Sequence, residues 1–329
     1  MRSDSIASPL VTPELNIAVV VPCFRVADKV LDVLAHIGEE CHRIYVVDDA
    51  CPEGSGDLVA RSCADPRVVV LRNRVNLGVG GATITGYQRA LEDGADILVK
   101  LDADGQMNPA LIPRLVAPIA RGDADYAKGN RFYDLRGLQA MPAIRLMGNA
   151  ALSFLSKVSS GYWNLFDPTN GFTAIHAKVW GAIPADRVSR RWFFESDLLY
   201  HLGILRAVVQ DVPMPAHYSD ERSGIREHSV VAEFAWKHAR NGLKRLFYSY
   251  FLRDFSMASV QFLIGTTLVA AGTWIGLDYW RESARTGRVA SSGTVMLAAL
   301  PIVIGFQLLL AFLSFDMQNS PASPIHRRL

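Results

Sequence analysis

Two stretches in the last quarter of this chain carry no charged residue. They are residues 255–277 (FSMASVQFLIGTTLVAAGTWIGL) and 294–315 (TVMLAALPIVIGFQLLLAFLSF), 23 and 22 residues long. A helix needs about 20 apolar residues to cross a bilayer, and shorter runs of about 10–14 are the mark of buried core helices. The two runs therefore predict membrane spans, with core helices as the competing reading. Trp274, Tyr279 and Trp280 cluster at the end of the first run, as in an interfacial aromatic belt. Pro301 interrupts the second run, which a membrane helix tolerates. These runs explain a positive mean hydropathy, +0.15, in a chain of 329 residues with 20% charged residues.

A short connector, residues 278–293, makes the spans a hairpin and puts both chain ends on one side. Lys237, Arg240, Lys244, Arg245 and Arg253 precede the first span, and Arg327 and Arg328 end the chain. The connector holds Arg281, Arg285 and Arg288. The bias places the termini in the cytoplasm. Residues 1–15 are polar and read as a disordered N-terminus with no apolar core of a secretory signal. In that compartment Cys23, Cys41, Cys51 and Cys63 read as reduced packing residues. The formal charge of +2 argues against bulk nucleic-acid binding.

Upstream, short apolar runs alternate with helical stretches. Residues 17–21 (IAVVV), 43–47 (RIYVV), 68–71 and 97–101 read as strands; residues 27–40, 57–62 and a stretch to about 91 read as helices. Unbroken runs of β-branched residues suit parallel strands buried on both faces. The alternation predicts a doubly wound α/β domain. Pro22, Asp48, Asp49, Asp102 and Asp104 all follow strand ends, the edge at which open α/β sheets bind ligands.

Three motifs at that edge carry chemistry. Asp102-Ala103-Asp104 follows LVKL; in extended backbone, residues two apart point the same way. Two such carboxylates, with Gln106 beyond them, suit a hard divalent cation that also takes substrate phosphate oxygens. The alternative is a solvated acidic turn. Asp48-Asp49 fits either a helix cap and turn or acceptance of hydrogen bonds from a ribose or base; spacing alone leaves both open. Asn76 to Ala82 (NLGVGGA) is glycine-rich but lacks the third glycine of a dinucleotide fingerprint and follows the third strand. It reads as a tight loop that admits close approach.

Taken in order, VVVPCF, VVDDACPEGSGD, NLGVGGATITGYQRAL, VKLDADGQMNP, KGNRF, DPTNGFTAIH and FFESDLL resemble the family 2 glycosyltransferases over about residues 16–228. Within them the set is most similar to the polyprenyl-phosphate glycosyltransferases, the group of dolichyl-phosphate mannose synthase. The resemblance implies a GT-A, Rossmann-like nucleotide-sugar-binding domain. It implies Mg²⁺ or Mn²⁺ on Asp102, Asp104 and Gln106, with a nucleoside-diphosphate sugar and a polyprenyl phosphate lipid as partners. Pro22, Phe24, Asp48, Asp49, Gly80, Asp102 and Ala103 fall among the implied nucleotide-sugar contacts. Arg131 matches an arginine near the phosphates, and Asn170 and Gly171 lie in a loop facing the acceptor. Glu195 and Asp197 match carboxylates below the sugar, and Arg222 and Arg226 match cations of a closing loop. Catalysis is thus expected from Asp104, Asp197, Glu195 and Arg131. The sequence departs from the family after the first strand, where Pro22-Cys23-Phe24-Arg25-Val26 lacks the usual acid.

The implied architecture is a catalytic domain (16–228), an amphipathic interfacial helix (229–253), a two-span region (254–316) and a cytoplasmic tail (317–329). Phe234, Leu243, Leu246, Phe247 and Phe251, set among basic residues, carry the interfacial reading. Residues 144–166, with Met147, Phe154, Trp163 and Phe166, are a second membrane-facing candidate. The expected protein is an integral enzyme of a bacterial inner membrane, with no nucleic-acid partner; the resemblance admits a homo-oligomer. The competing functions are a family 2 transferase with another glycan or lipid acceptor and a non-catalytic, membrane-anchored binding module.

Overall fold

The computed structural model describes residues 15–133, 143–215 and 227–329. The expected disordered N-terminus, apart from Leu15, and Arg222 and Arg226 lie outside these residues. The centre of the fold is a seven-stranded sheet of order β3-β2-β1-β4-β6-β5-β7. Its strands are β1 (Ile17–Cys23), β2 (Arg43–Asp48), β3 (Val68–Arg72), β4 (Ile97–Lys100), β5 (Tyr126–Asn130), β6 (Thr173–His176) and β7 (Val209–Pro213). The first four are parallel, as the apolar runs predict. Alternate side chains enter two separate cores. Val19, Val21, Ile44, Val46 and Val99 pack on one face; Ala18, Val20, Tyr45, Val47 and Leu98 pack on the other.

Helices cover both faces. They are α1 (Val30–Ala35), α2 (Ser55–Ser62), α3 (Val79–Glu92), α4 (Ile112–Ala120), α5 (Ala143–Ser160), α6 (Ala177–Gly181) and α7 (Phe194–Leu205). The first face takes Val30 and Val33 of α1 and Ile112 and Leu115 of α4; the second takes Tyr87 of α3, Trp180 of α6 and Leu198 of α7.

The sheet is mixed, which the doubly wound expectation did not contain. Strand β6 runs antiparallel between β4 and β5, pairing Lys100 with Thr173 and Lys128 with Thr173. Antiparallel pairing sets the start of β6 beside the end of β4. The loop before β6, residues 167–172, is therefore delivered to the same edge as Asp102.

Beyond the sheet come α8 (Glu227–Phe247), a π-helical turn (Tyr248–Arg253), α9 (Met257–Thr286) and α10 (Ser292–Gln318). Helix α9 outruns its apolar segment because the following polar residues stay helical until Gly287, which caps it at φ +69°. Both α9 and α10 are long and apolar enough to cross a membrane, and their most apolar windows are each only 11% buried. A core helix of a soluble protein would be mostly buried. Leu263, Ile264, Val303, Phe306 and Leu310 instead face outward.

Helix α8 has inverted amphipathicity. Phe234, His238, Asn241 and Arg245 share one face and are buried, whereas Trp236, Leu243 and Phe247 on the opposite face are exposed. Met147 and Phe154 of α5, with Phe166, are also exposed. Arg245, expected on the basic surface of this helix, is instead buried with its guanidinium bidentate on Asp316 (2.7 and 2.9 Å). The chain's tail is not free either. Asp125, fully buried at the start of β5, accepts hydrogen bonds from the Ile325 and His326 amides (both 2.9 Å), and the His326 ring stacks on His176 at 4.3 Å.

Candidate active site

The carboxyl ends of β1, β2 and β4 form one edge, and the acidic motif lies on it. β4 ends in Lys100, followed by Leu101, half-buried Asp102, buried Ala103 and half-buried Asp104. Gly105 turns the chain at φ +75°, and the Gln106 amide donates to Asp104 Oδ1 at 2.9 Å. Burial, and then the like charge of Asp102, raises the Asp104 pKa.

Lys100 is the residue that sequence reasoning passed over. Its side chain is fully enclosed, and its ammonium lies 2.6 Å from Asp102 Oδ1, 3.1 Å from Glu195 Oε1 and 3.4 Å from the Gly171 carbonyl. Burial opposes its charge, but Asp102 and Glu195 outweigh burial and raise its pKa. Glu195 is buried too; burial and Asp102 raise its pKa although Lys100 opposes them. A readable signal was present. A lysine closing an otherwise apolar strand must find buried partners.

Gly171 completes the cluster by having no side chain. A Cβ there would strike the Asp102 carboxylate and stand 2.6 Å from Lys100 Nζ. Its neighbour Asn170 is buried and donates to Asp167 Oδ2 at 3.1 Å. Asp167, at φ +50°, receives Arg131 bidentately: Nε at 2.7 Å and Nη2 at 2.8 Å. Burial alone would raise the Asp167 pKa, but Arg131 holds it below the usual carboxylate range. Arg131 therefore braces the 167–172 loop. Lys128 supports the same loop from β5, with its ammonium 3.0 Å from the Asp167 carbonyl and 2.9 Å from Asp211 Oδ1.

Glu195 and Asp197 do not act as a pair. Residues two apart on a helix point in nearly opposite directions, and both lie in the first turn of α7. Glu195 reaches Lys100, whereas Asp197 accepts from the Ser189 amide (2.8 Å) and Asn241 Nδ2 (2.7 Å). Through these bonds Asp197 fastens α8 to α7.

Asp48 and Asp49 serve mainly as loop anchors. Asp48 accepts from the Cys51 (2.7 Å) and Gly56 (2.9 Å) amides and shapes the entry to α2. Asp49 accepts from Asn73 Nδ2 (2.8 Å) and the Leu77 (2.9 Å) and Gly78 (2.7 Å) amides, fixing the start of the glycine-rich loop. Gly80, at the start of α3, is closely packed. A Cβ there would lie 2.7 Å from Phe194 Cβ and 2.7 Å from the Ser189 carbonyl, so this glycine seats α3 against the entry to α7. Pro22 is half-buried at the end of β1, and Phe24 just beyond it is exposed, with Arg25 stacked over its ring at 5.4 Å. Lys29 is a further basic neighbour of Asp104 and lowers its pKa slightly against the larger effects. Among the described residues no three His, Cys, Asp or Glu side chains gather closely enough to hold a metal unaided.

A glycosyl transferase family 2 model matches residues 18–182, half of the chain and all strands through β6. The chain belongs to glycosyl transferase family 2. This family 2 enzyme is a glycosyltransferase with the GT-A fold. It is 35% identical to the undecaprenyl-phosphate mannosyltransferase of Micrococcus luteus over 173 residues, covering 52% of this chain and 70% of that protein. It is 27% identical to the polyprenol monophosphomannose synthase of Mycolicibacterium smegmatis over 241 residues, covering 71% and 89%. Among solved structures, the glucosyl-3-phosphoglycerate synthase of Mycobacterium tuberculosis, crystallised with Mn²⁺, UDP-glucose and phosphoglyceric acid, superposes with a TM-score of 0.52 at 18% identity, covering 70% of this chain and 79% of that one. The mannosyl-3-phosphoglycerate synthase of Rubrobacter xylanophilus gives 0.52 at 16%, covering 74% and 77%. At these identities the solved structures speak for the fold. Glu195, Asp197 and helices α8 to α10 of this family 2 enzyme lie beyond the matched segment.

Proposed function

We propose that this glycosyltransferase moves a sugar from a nucleoside diphosphate to a polyprenyl phosphate at a membrane surface. The observation that carries the reading is the joining of two features in one chain. An acidic strand-end cluster is roofed by a side-chain-free loop residue, Gly171, and the same domain turns the apolar face of α8 outward and continues into two apolar helices. The polyprenyl-phosphate relatives support the lipid acceptor.

The cluster fits a divalent cation. Asp102, Asp104 and Glu195 oppose one buried ammonium, and mutual repulsion with burial already raises the Asp104 pKa. Two carboxylates, too few to hold a metal alone, match a cation shared with the donor's phosphates. Asp102 and Asp104, with Gln106, would hold it. When bound, Mg²⁺ or Mn²⁺ supplies charge stabilisation for the departing diphosphate.

The chain's own residues do the rest. Exposed Phe24 offers a face for the base, while Asp48 and Asp49 hold the surrounding loops. Glu195, fixed by Lys100, receives sugar hydroxyls. The bare backbone at Gly171 lets the acceptor approach Asp102, and Asn170, Asp167 and Arg131 keep that loop in place. The acceptor is a phosphate monoester with a second pKa near 6. Its dianion needs no strong general base, which agrees with both Asp197 oxygens being engaged. In this reading Arg222 and Arg226 supply further cations to the phosphates. Residues 16–228 serve as the catalytic domain, and the hairpin returns the tail to Asp125 on the catalytic domain's side. The excess of basic residues flanking the hairpin makes that side the cytoplasm.

The test is incubation of membranes holding the protein with labelled nucleotide sugars, Mg²⁺ or Mn²⁺, and polyprenyl phosphate. Label entering a lipid-phosphate sugar is expected from at least one donor. No labelled lipid from any donor would overturn the reading.

A further inference from the structure

Lys100 sits where a cation would otherwise be needed to hold two carboxylates and a backbone carbonyl together. Its three oxygen partners come from three segments: Asp102 from the end of β4, the Gly171 carbonyl from the loop before β6, and Glu195 from α7. The lysine is covalently fixed and fully enclosed. Its ammonium takes up Asp102 Oδ1, so Oδ2, on the Gly171 side, is the oxygen left for an incoming cation. A dication arriving there meets a positive charge a few ångströms away, and in a buried corner that repulsion is weakly screened. The negative charge of a diphosphate offsets it.

We propose that Lys100 is a built-in counter-cation and positioning residue: it keeps Asp102 and Glu195 assembled before any metal arrives, and it makes Mg²⁺ or Mn²⁺ bind tightly only together with the donor's diphosphate. The inference rests on the reading of Asp102 and Asp104 as the metal and diphosphate site and adds an order of assembly to it. It also accounts for a charged residue in an otherwise apolar strand, since a buried ammonium is tolerated only where carboxylates surround it.

The test is calorimetric titration of MnCl₂ into the purified full-length chain in detergent, alone and with saturating UDP or GDP. Two variants are compared with the parent: Lys100→Met, of similar length and uncharged, and Lys100→Gln, which keeps hydrogen bonds to Asp102 and Glu195 without the charge. Circular dichroism establishes that each is folded, and the glutamine variant decides if the methionine variant is not. Each folded variant is expected to bind Mn²⁺ alone at least tenfold more tightly than the parent. Adding Asp104→Asn should abolish that gain, placing the ion at this cluster. Unchanged or weaker Mn²⁺ binding by the glutamine variant would overturn the proposal, as would a gain that survives Asp104→Asn. Failure of the parent to bind Mn²⁺ even with either nucleotide would instead overturn the metal reading beneath it.

Discussion

Asn241 on α8 donates a hydrogen bond of 2.7 Å to Asp197 on α7, and both side chains are buried. The helix with the exposed apolar face is thus tied to the helix that carries Glu195. Removing the amide leaves a carboxylate oxygen buried and unpaired, which costs about 1–3 kcal/mol. Asn241→Ala should lower the melting temperature by roughly 2–4 °C for each kcal/mol lost, measured by thermal denaturation in detergent. If Asp197 were instead a base facing an open site, kcat would fall with no change in melting temperature.

Gly80 offers a test of the same kind for α3. A methyl group there would press on Phe194 and the Ser189 carbonyl, both at 2.7 Å. Overpacking of this sort costs about 1–3 kcal/mol. Gly80→Ala should reduce both stability and kcat, because Phe194 adjoins Glu195, and should leave the donor KM near its parent value. A raised donor KM with unchanged melting would return Gly80 to direct substrate contact.

These two cases show which parts were legible from sequence. The runs IAVVV and RIYVV could only be buried strands, and the acids after them could only lie at the sheet's edge. Strand β5 (YAKGN) has no apolar run; it is a strand because Asp211 pairs with Lys128 and β6 lies alongside. Glu195 and Asp197 look like a pair in a string of letters but diverge on a helix. Asp49 and Gly80 sit in functional-looking motifs, yet their partners come from residues 73–78 and 189–194, which spacing cannot reveal. Lys100 was hidden for the opposite reason, since its role appears only when Glu195 and Gly171 are brought to it.

His238 sets a pH dependence. It lies buried in α8, with Nδ1 2.8 Å from the Ser159 hydroxyl, and burial pushes its pKa down to about 4 although Asp197 opposes this. The unfolded imidazole titrates near 6.5. Between these values the unfolded state binds the extra proton, so its contribution is complete above about pH 6.5 and is lost as pH falls towards about 4. The parent's melting temperature should therefore drop between pH 7 and pH 5. The drop should be shallower in His238→Gln, which has no titrating ring. Parallel pH profiles would contradict this assignment.

Arg245 and Asp316 lock α8 to the end of α10, with Tyr250 (2.6 Å) and Trp163 (2.9 Å) donating to the same carboxylate. Breaking a buried pair from one side strands the other charge, at about 3–5 kcal/mol. Asp316→Ala should destabilise by about that much in a denaturation series, whereas Arg245→Met combined with Asp316→Leu should recover most of the loss. A double variant whose loss equals the sum of the two single losses would show that the charges do not interact.

Transfer of a sugar to a lipid monophosphate can be read from the mass of the product. Purified protein, polyprenyl phosphate, Mn²⁺ and the donor that labels lipid are incubated, and the lipid fraction is analysed by mass spectrometry. Polyprenyl monophosphate bearing one sugar is expected, with free nucleoside diphosphate as co-product, and no such species from Asp104→Asn. A lipid diphosphate sugar, or transfer only to a water-soluble acceptor, would contradict it.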